Sequence, residues 1–251
     1  MTNPFAAHNI QHLSPSTLNT FAASPAMFVL EKVLKRRMPV GAAAHRGTAA
    51  EAGVAMGLLN PDAKLEDCVA EAESVFRQKT ALSGDPRKDK EAEALPGLVE
   101  QGLLALRPYG IPSSTQGKVE WFVEGVEVPI IGFYDFIWQD HGIIVDLKTQ
   151  LALSSEIKTG HARQVALYTV AISDNLDARL AYVTPKKSAV YKLENVRAHV
   201  GALERMARAC RRFLSVSSDP QALADMVSPD VESFYFAPPA ARQAAFEVFG
   251  V

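Results

Sequence analysis

The chain has 251 residues, 48% of them hydrophobic and 22% charged, with a net charge of -2 at pH 7. That composition suits a folded protein with a real core and excludes a polycation, so any contact with nucleic acid must rest on local positive charge. The two cysteines, Cys68 and Cys210, lie far apart with no CxxC spacing, which excludes a cysteine zinc ribbon and a disulfide framework and suits a reducing cytoplasm.

No apolar run approaches the length of a membrane span, and the first residues lack the basic and apolar regions of a signal peptide. No internal repeat is visible. In "SPSTLNTFAASPAMFVLEKVLKRR", Ser14 or Ser16 can cap a helix that Pro15 or Thr17 begins. A second helix follows Ser24 and Pro25 and ends in the basic cluster Lys32, Lys35, Arg36 and Arg37. Residues 42–59 read as a helix despite their glycines, because small residues let a helix pack closely on a neighbour. Residues 64–80 form an amphipathic helix with Leu65, Cys68, Val69, Ala72 and Phe76 near helical spacing. "SGDPRKDKEAE" reads as a charged surface loop, and residues 94–107 as another helix.

The pattern then changes. Residues 118–150 are rich in Val, Ile, Phe and Trp, with glycines at 125, 132 and 142, which predicts three short strands in a meander. Residues 155–175 return to helix, "RLAYVTPKK" and "AVYKLEN" read as strands, and residues 197–215 as a long helix with basic residues. The tail is a loop followed by a short helix. Its aromatic run "SFYFAPP" can pack on the core, stack on a base or bind a partner, packing being the reading preferred. The order predicts one α/β or α+β domain: a mainly helical part over 1–110, a sheet-and-helix core over 117–216 and a tail over 217–251.

The hairpin "GFYDFIWQDHGIIVDLK" carries the chemistry. With a two-residue turn at Asp140 and His141, Gln139 pairs with Gly142, and counting outward sets Asp135 opposite Asp146. Directly opposed residues share a face with Cβ atoms roughly 5 Å apart. Lys148 lies two residues further along the same face, while Tyr134, Phe136, Val145 and Leu147 occupy the other and would bury against a helix. A three-residue loop would shift this register. Paired carboxylates repel unless a cation sits between them, and their oxygens suit Mg²⁺ or Mn²⁺ rather than a soft metal. A lone DxK is more often an ordinary strand-end pair. Three further features converge on it. Gln164 and Tyr168 stand four apart on one helical face, Glu120 lies on the preceding strand, and His45 and Glu51 lie on or beside the small-residue helix.

Taken together, "SPSTLNTFAASPAMF", "RGTAAEA", Glu120, "GFYDFI", "IIVDLKT" and "QVALY" resemble, in order, the motifs of the RecB-type branch of the PD-(D/E)xK nuclease superfamily. That branch also includes CRISPR-associated adaptation nucleases and phage exonucleases. The matches run from residue 14 to about residue 170. The resemblance implies a restriction-endonuclease-like fold, with a central mixed sheet flanked by helices. It implies a metal-dependent DNA exonuclease of recombination, repair or replication in a bacterial or phage-infected cytoplasm. A structure- or sequence-specific endonuclease, or a DNA-binding assembly subunit with little activity, are the competing readings.

The resemblance also assigns roles. One or two Mg²⁺ or Mn²⁺ ions would be held by Glu51, Asp135, Asp146 and the main-chain carbonyl of Leu147, with His45 as the alternative helix ligand. Lys148 would orient the attacking water, Gln164 and Tyr168 would position Lys148 or a phosphate, and Glu120 would support them. Arg163, Thr149, Lys35, Arg36, Lys186 and Lys187 are the candidate DNA contacts, and Arg205, Arg208, Arg211 and Arg212 form a further basic helix face. The family's "CP" cysteine is Ser24 here, and only Cys210 remains in the C-terminal half, so no iron–sulfur cluster is expected. No GxxxxGK[ST] is present, which predicts a free-standing nuclease or one working with a separate protein. A single-strand annealing or binding protein is a candidate partner. Oligomeric state is left open.

Overall fold

The computed structural model describes residues 3–251, and its first helices begin where a capping side chain meets a proline. Asn3 caps α1 (Pro4–Ala7), accepting the N–H groups of Phe5 and Ala6 at 2.9 and 3.2 Å. Ser14 caps α2 (Pro15–Ala23) through Thr17 N–H at 3.1 Å. Then come α3 (Pro25–Phe28), continued by a π turn over Val29–Val33, and α4 (Ala42–Leu59), α5 (Leu65–Thr80), α6 (Lys88–Glu93) and α7 (Leu95–Leu106). The strands β1 (Ser114–Trp121), β2 (Ile130–Trp138) and β3 (Ile143–Thr149) lead to α8 (Thr159–Ile172). β4 (Asp177–Val183), β5 (Ser188–Lys192), α9 (Val196–Leu214), α10 (Pro220–Ala224) and α11 (Pro239–Phe249) complete the chain. Among the described residues, no helix is long and apolar enough to cross a membrane.

The five strands form one mixed sheet in the order β1-β2-β3-β4-β5, the α/β arrangement expected. β2 and β3 pair antiparallel, β3 and β4 parallel, β4 and β5 antiparallel. The parallel step requires a crossover, and α8 provides it, packing on both β3 and β4.

Two compact units divide the chain. One takes Val40–Lys118 with Phe133–Glu194. Its core lies between α4, α5 and α7 and one sheet face, with Phe136, Trp138, Val145, Leu147, Ala181 and Val183 facing the helices. The small residues of α4 let it approach its neighbours: a Cβ on Gly53 would fall 2.5 Å from the Cys68 carbonyl and 2.9 Å from Val99. The expectation of a charged surface loop over residues 83–93 is corrected here. Lys88–Glu93 is helical, and Glu91 is buried in an ion pair with Arg46 of α4. A run of charge conceals such a residue, because its partner lies on another element. The expected strand through "RLAYVTPKK" also ends earlier, at Val183. Thr184 closes a turn onto Lys187, its N–H and hydroxyl donating to that carbonyl at 2.9 and 2.8 Å.

The other unit takes the chain up to Pro39, Val119–Gly132 and Asn195–Val251. α2 packs on α9, and the ring of Phe21 stands 5.1 Å from Phe28 and 5.7 Å from Phe213. Ala26, Met27, Leu30, Ala241, Ala244 and Ala245 surround Phe236, so the aromatic run of the tail does pack, although Phe234 within it is exposed. Arg211 forks onto Glu127 at 2.6–3.0 Å, Arg208 pairs with Glu204 at 3.3 Å, and Arg36 pairs with Glu247.

Candidate active site

Alternation along β3 sends Val145 and Leu147 into the helical core and Asp146 and Lys148 to the opposite face. The ladder pairs Phe136 with Val145, and the same register carried one step outward sets Asp135 opposite Asp146, as the turn count predicts. The turn itself is longer than the expected Asp140–His141. Residues 139–141 form a 3₁₀ turn, and Gly142 takes a left-handed conformation (φ 61°). Trp138 and Ile143 flank it, so the register is unchanged.

Asp146 is fully buried. Its Oδ1 accepts from Gln164 Nε2 and from the Tyr168 hydroxyl, both at 2.9 Å. Gln164 also donates to Tyr168 Oη at 2.7 Å, and Tyr168 Oη lies 2.5 Å from the Phe133 carbonyl. The spacing of four residues on α8 makes this triangle possible, since it places both side chains over one patch of sheet. The other oxygen, Oδ2, is ion-paired with Lys148 Nζ at 2.5 Å and has no further partner. Asp135 is half-buried, and its Oδ2 takes the Leu147 N–H at 2.6 Å. Glu51 of α4 accepts from Gln116 Nε2 at 3.0 Å. Gln116 itself holds a left-handed backbone (φ 54°), an uncommon conformation for a non-glycine residue and one frequent at functional sites.

The electrostatics are those of acids crowded without enough positive charge. Burial, then the Asp146 and Glu51 charges, hold the Asp135 carboxyl well above the usual range. Glu51 is raised too, chiefly by burial and also by Asp146, with Gln116 opposing. The Lys148 ammonium is raised against a large opposing effect of burial, by Asp146 and then Asp135, so it stays charged. Burial foremost, with Asp146 and Asp135 adding to it, pushes the Tyr168 phenol well up and keeps its proton in place.

Among the described residues, no group of three or more His, Cys, Asp or Glu side chains is arranged to hold a metal ion. The donor chemistry nonetheless fits a hard divalent cation. The donors are carboxylate oxygens, Asp146 Oδ2 has only the Lys148 ammonium as a partner, and burial together with the Asp146 charge raises both Asp135 and Glu51.

The remaining expected residues are placed as follows. Leu147 lies between Asp146 and Lys148 with its side chain in the core. Thr149 follows Lys148, and its carbonyl accepts Arg46 Nη2 at 3.3 Å. Arg163 is half-buried on α8, and His45 is half-buried on α4, six residues before Glu51. Lys186 and Lys187 are exposed in the β4–β5 turn. Glu120, exposed on β1, and Lys35 and Arg36 belong to the other unit. There Lys35 Nζ donates to the carbonyls of Asn9 and Lys32 at 3.1 and 2.7 Å. Sequence reading misses Gln116, whose left-handed backbone leaves no sequence signal. It also misses Arg46, whose place in an alanine-rich helix does signal the need for a partner.

The model of the PD-(D/E)XK nuclease superfamily matches residues 12–240. A comparison with curated proteins gives no match. Among solved structures, the "Crystal structure of SSO0001" aligns at a TM-score of 0.34 and 16% identity, over 73% of this chain and 84% of that chain.

Proposed function

The chain belongs to the PD-(D/E)XK nuclease superfamily, and from that premise we propose that it is a divalent-metal-dependent DNA exonuclease of the RecB-like branch. Its role on this reading is in recombination, repair or replication of bacterial or phage DNA. One observation carries the proposal. Asp146 is buried, with Oδ1 held by Gln164 and Tyr168 and Oδ2 paired with the Lys148 ammonium at 2.5 Å, and the further acids Asp135 and Glu51 crowd the same site. A structural ion pair needs one acid for its lysine, and two further acids held above the usual carboxylate range beside it point to a functional site instead.

Glu51, Asp135, Asp146 and the Leu147 carbonyl are the groups that would hold the ion. Bound there, it supplies positive charge against the phosphate and acidifies a water molecule. The protein's own groups do the rest. Gln164 and Tyr168 fix the orientation of the Asp146 carboxylate through Oδ1. Tyr168 keeps its proton and so remains a donor. Lys148, still charged, offers its ammonium to the phosphate oxygens and to the attacking water, where negative charge develops. Asp135 binds the Leu147 N–H and thereby ties β2 to the strand that carries Asp146 and Lys148.

The test is digestion of end-labelled linear and closed-circular DNA with Mg²⁺, Mn²⁺ or EDTA. Linear DNA should be degraded, circles should survive, and EDTA should stop the reaction. Asp146→Ala and Lys148→Ala should each abolish cleavage with the circular dichroism spectrum unchanged. Cleavage retained by either variant overturns the site. Nicked circles replace the exonuclease by an endonuclease.

A further inference from the structure

His161 lies at the edge of this site with no part in the mechanism above. It stands on α8 three residues before Gln164 and seven before Tyr168, so the three share one helical face. The ring is half-buried. Its Nδ1 is 2.8 Å from Tyr182 Oη, and the two rings lie 5.7 Å apart. Tyr182 is fully buried on β4 and is the register partner of Lys148 on β3. The same hydroxyl accepts the Lys158 N–H at 3.1 Å. Tyr182 packs in turn on Tyr191 at 6.0 Å, and the Tyr191 hydroxyl donates to the Ser154 carbonyl at 3.0 Å. The histidine ring is therefore held firmly on its Nδ1 side.

This clamp favours one tautomer. Tyr182 Oη already accepts the Lys158 N–H, so giving its own proton to Nδ1 satisfies both groups, and Nδ1 is assigned as the acceptor on that ground. The ring proton sits on Nε2. Burial, followed by the Lys148 ammonium, pushes the imidazole down to about 4, so the ring is neutral at pH 7. A neutral ring with Nδ1 engaged and Nε2 protonated cannot take up a proton as a base. It can donate one hydrogen bond. A site crowded with carboxylates repels a phosphate, and a neutral N–H donor helps hold the anion without competing with Lys148 for Asp146.

We infer that His161 is a substrate-contacting residue, whose Nε2–H donates to a non-bridging oxygen of the DNA phosphate that Lys148 engages. The inference rests on the nuclease reading above. Its test is the contrast between two amides. Glutamine at this position carries an N–H near the place of Nε2. Asparagine carries its amide near the place of Nδ1 and can keep the Tyr182 contact. His161→Gln should retain most of kcat, and His161→Asn should lose on the order of 10²-fold in kcat, the typical cost of removing one donor to developing charge. KM should change far less. A purely structural histidine predicts the reverse order, because the asparagine would preserve the clamp. Any result other than an active His161→Gln with an impaired His161→Asn overturns the inference. Wild-type protein and Lys148→Ala run in the same assay separate the two proposals. Inactive wild type removes the nuclease reading, and this inference with it. Active wild type, inactive Lys148→Ala and fully active His161→Asn remove only the inference.

Discussion

Glu91→Ala should destabilise the protein by about 3–5 kcal/mol, the cost of breaking a buried ion pair by removing one partner. Arg46 and Glu91 are each only 6% exposed and pair through Arg46 Nη1 and Glu91 Oε2. Without Glu91, the guanidinium keeps one neutral acceptor, the Thr149 carbonyl at 3.3 Å, and its Nε has none even now. Arginine cannot escape by losing its proton, so the buried charge stays uncompensated. For a chain of 251 residues, each kcal/mol moves the thermal midpoint by roughly 2–4 °C, which puts the fall at about 6–20 °C. Urea titration followed by circular dichroism measures the free energy, and a thermal scan the midpoint. The double variant Arg46→Met with Glu91→Leu removes both charges and the unpaired Nε. It should recover to within about 1 kcal/mol of wild type or exceed it. A loss below about 1 kcal/mol in the single variant, or a double variant as unstable as the single, refutes the reasoning. Because Arg46 ties α4, which carries Glu51, to the end of β3, Glu91→Ala should also lower cleavage per folded molecule.

Binding of Mg²⁺ or Mn²⁺ should strengthen as pH rises and release protons over the range in which the site carboxyls titrate. Asp135 and Glu51 are both raised, burial being the largest cause in each. A carboxyl raised in the folded state stabilises the fold below the unfolded value of about 4, and that contribution is lost as pH rises through the folded value. The metal-free protein should thus weaken as pH climbs through the raised range, and Asp135→Asn should flatten the decline. Calorimetric titration in two buffers of different ionisation enthalpy measures the protons, and equal heats would rule the effect out. Asp85 shows the opposite sign. Arg87 donates to it at 3.0 and 3.1 Å and the Ala42 N–H at 2.8 Å, and these bonds hold it below the usual carboxylate range, Arg87 contributing most. Its contribution is present above about pH 4 and is lost as pH falls toward the folded value. The stability gap between wild type and Asp85→Asn should therefore shrink from pH 7 to pH 2, and a constant gap contradicts the assignment.

The register of the central hairpin is legible in the sequence because a slip of one residue would send Val145 and Leu147 to the site face and Asp146 to the core. Burial on one face makes that error costly, so the pairing survives even though the turn is longer than expected. The i, i+4 spacing of Gln164 and Tyr168 is legible for a similar reason, since helical period alone decides which side chains can meet. Neither rule reaches the left-handed backbone of Gln116, which brings its amide to Glu51, or the clamp on His161, which depends on Tyr182 from a strand beginning after α8. Glu91 is the most instructive miss. Within "RKDKEAE" it looks like any solvated charge, and only its distant partner Arg46 gives it a reason to be buried.

The same contrast locates the place where this chain departs from structural consistency. Most of the sheet unit obeys ordinary rules, with apolar residues facing α4, α5 and α7 and a buried arginine matched by an acid. At the end of β3 those rules fail together. Three acids share one ammonium, and burial with the neighbouring charges pushes Asp135 toward its protonated form. Local conflicts of this kind cluster at functional sites, where the surrounding structure holds them in place. A divalent ion would relieve this one by supplying the missing positive charge, so its binding energy would also be folding energy. On the proposed reading, the metal-free protein should be the less stable form, because the charge arrangement that would hold the ion is also the one left uncompensated without it.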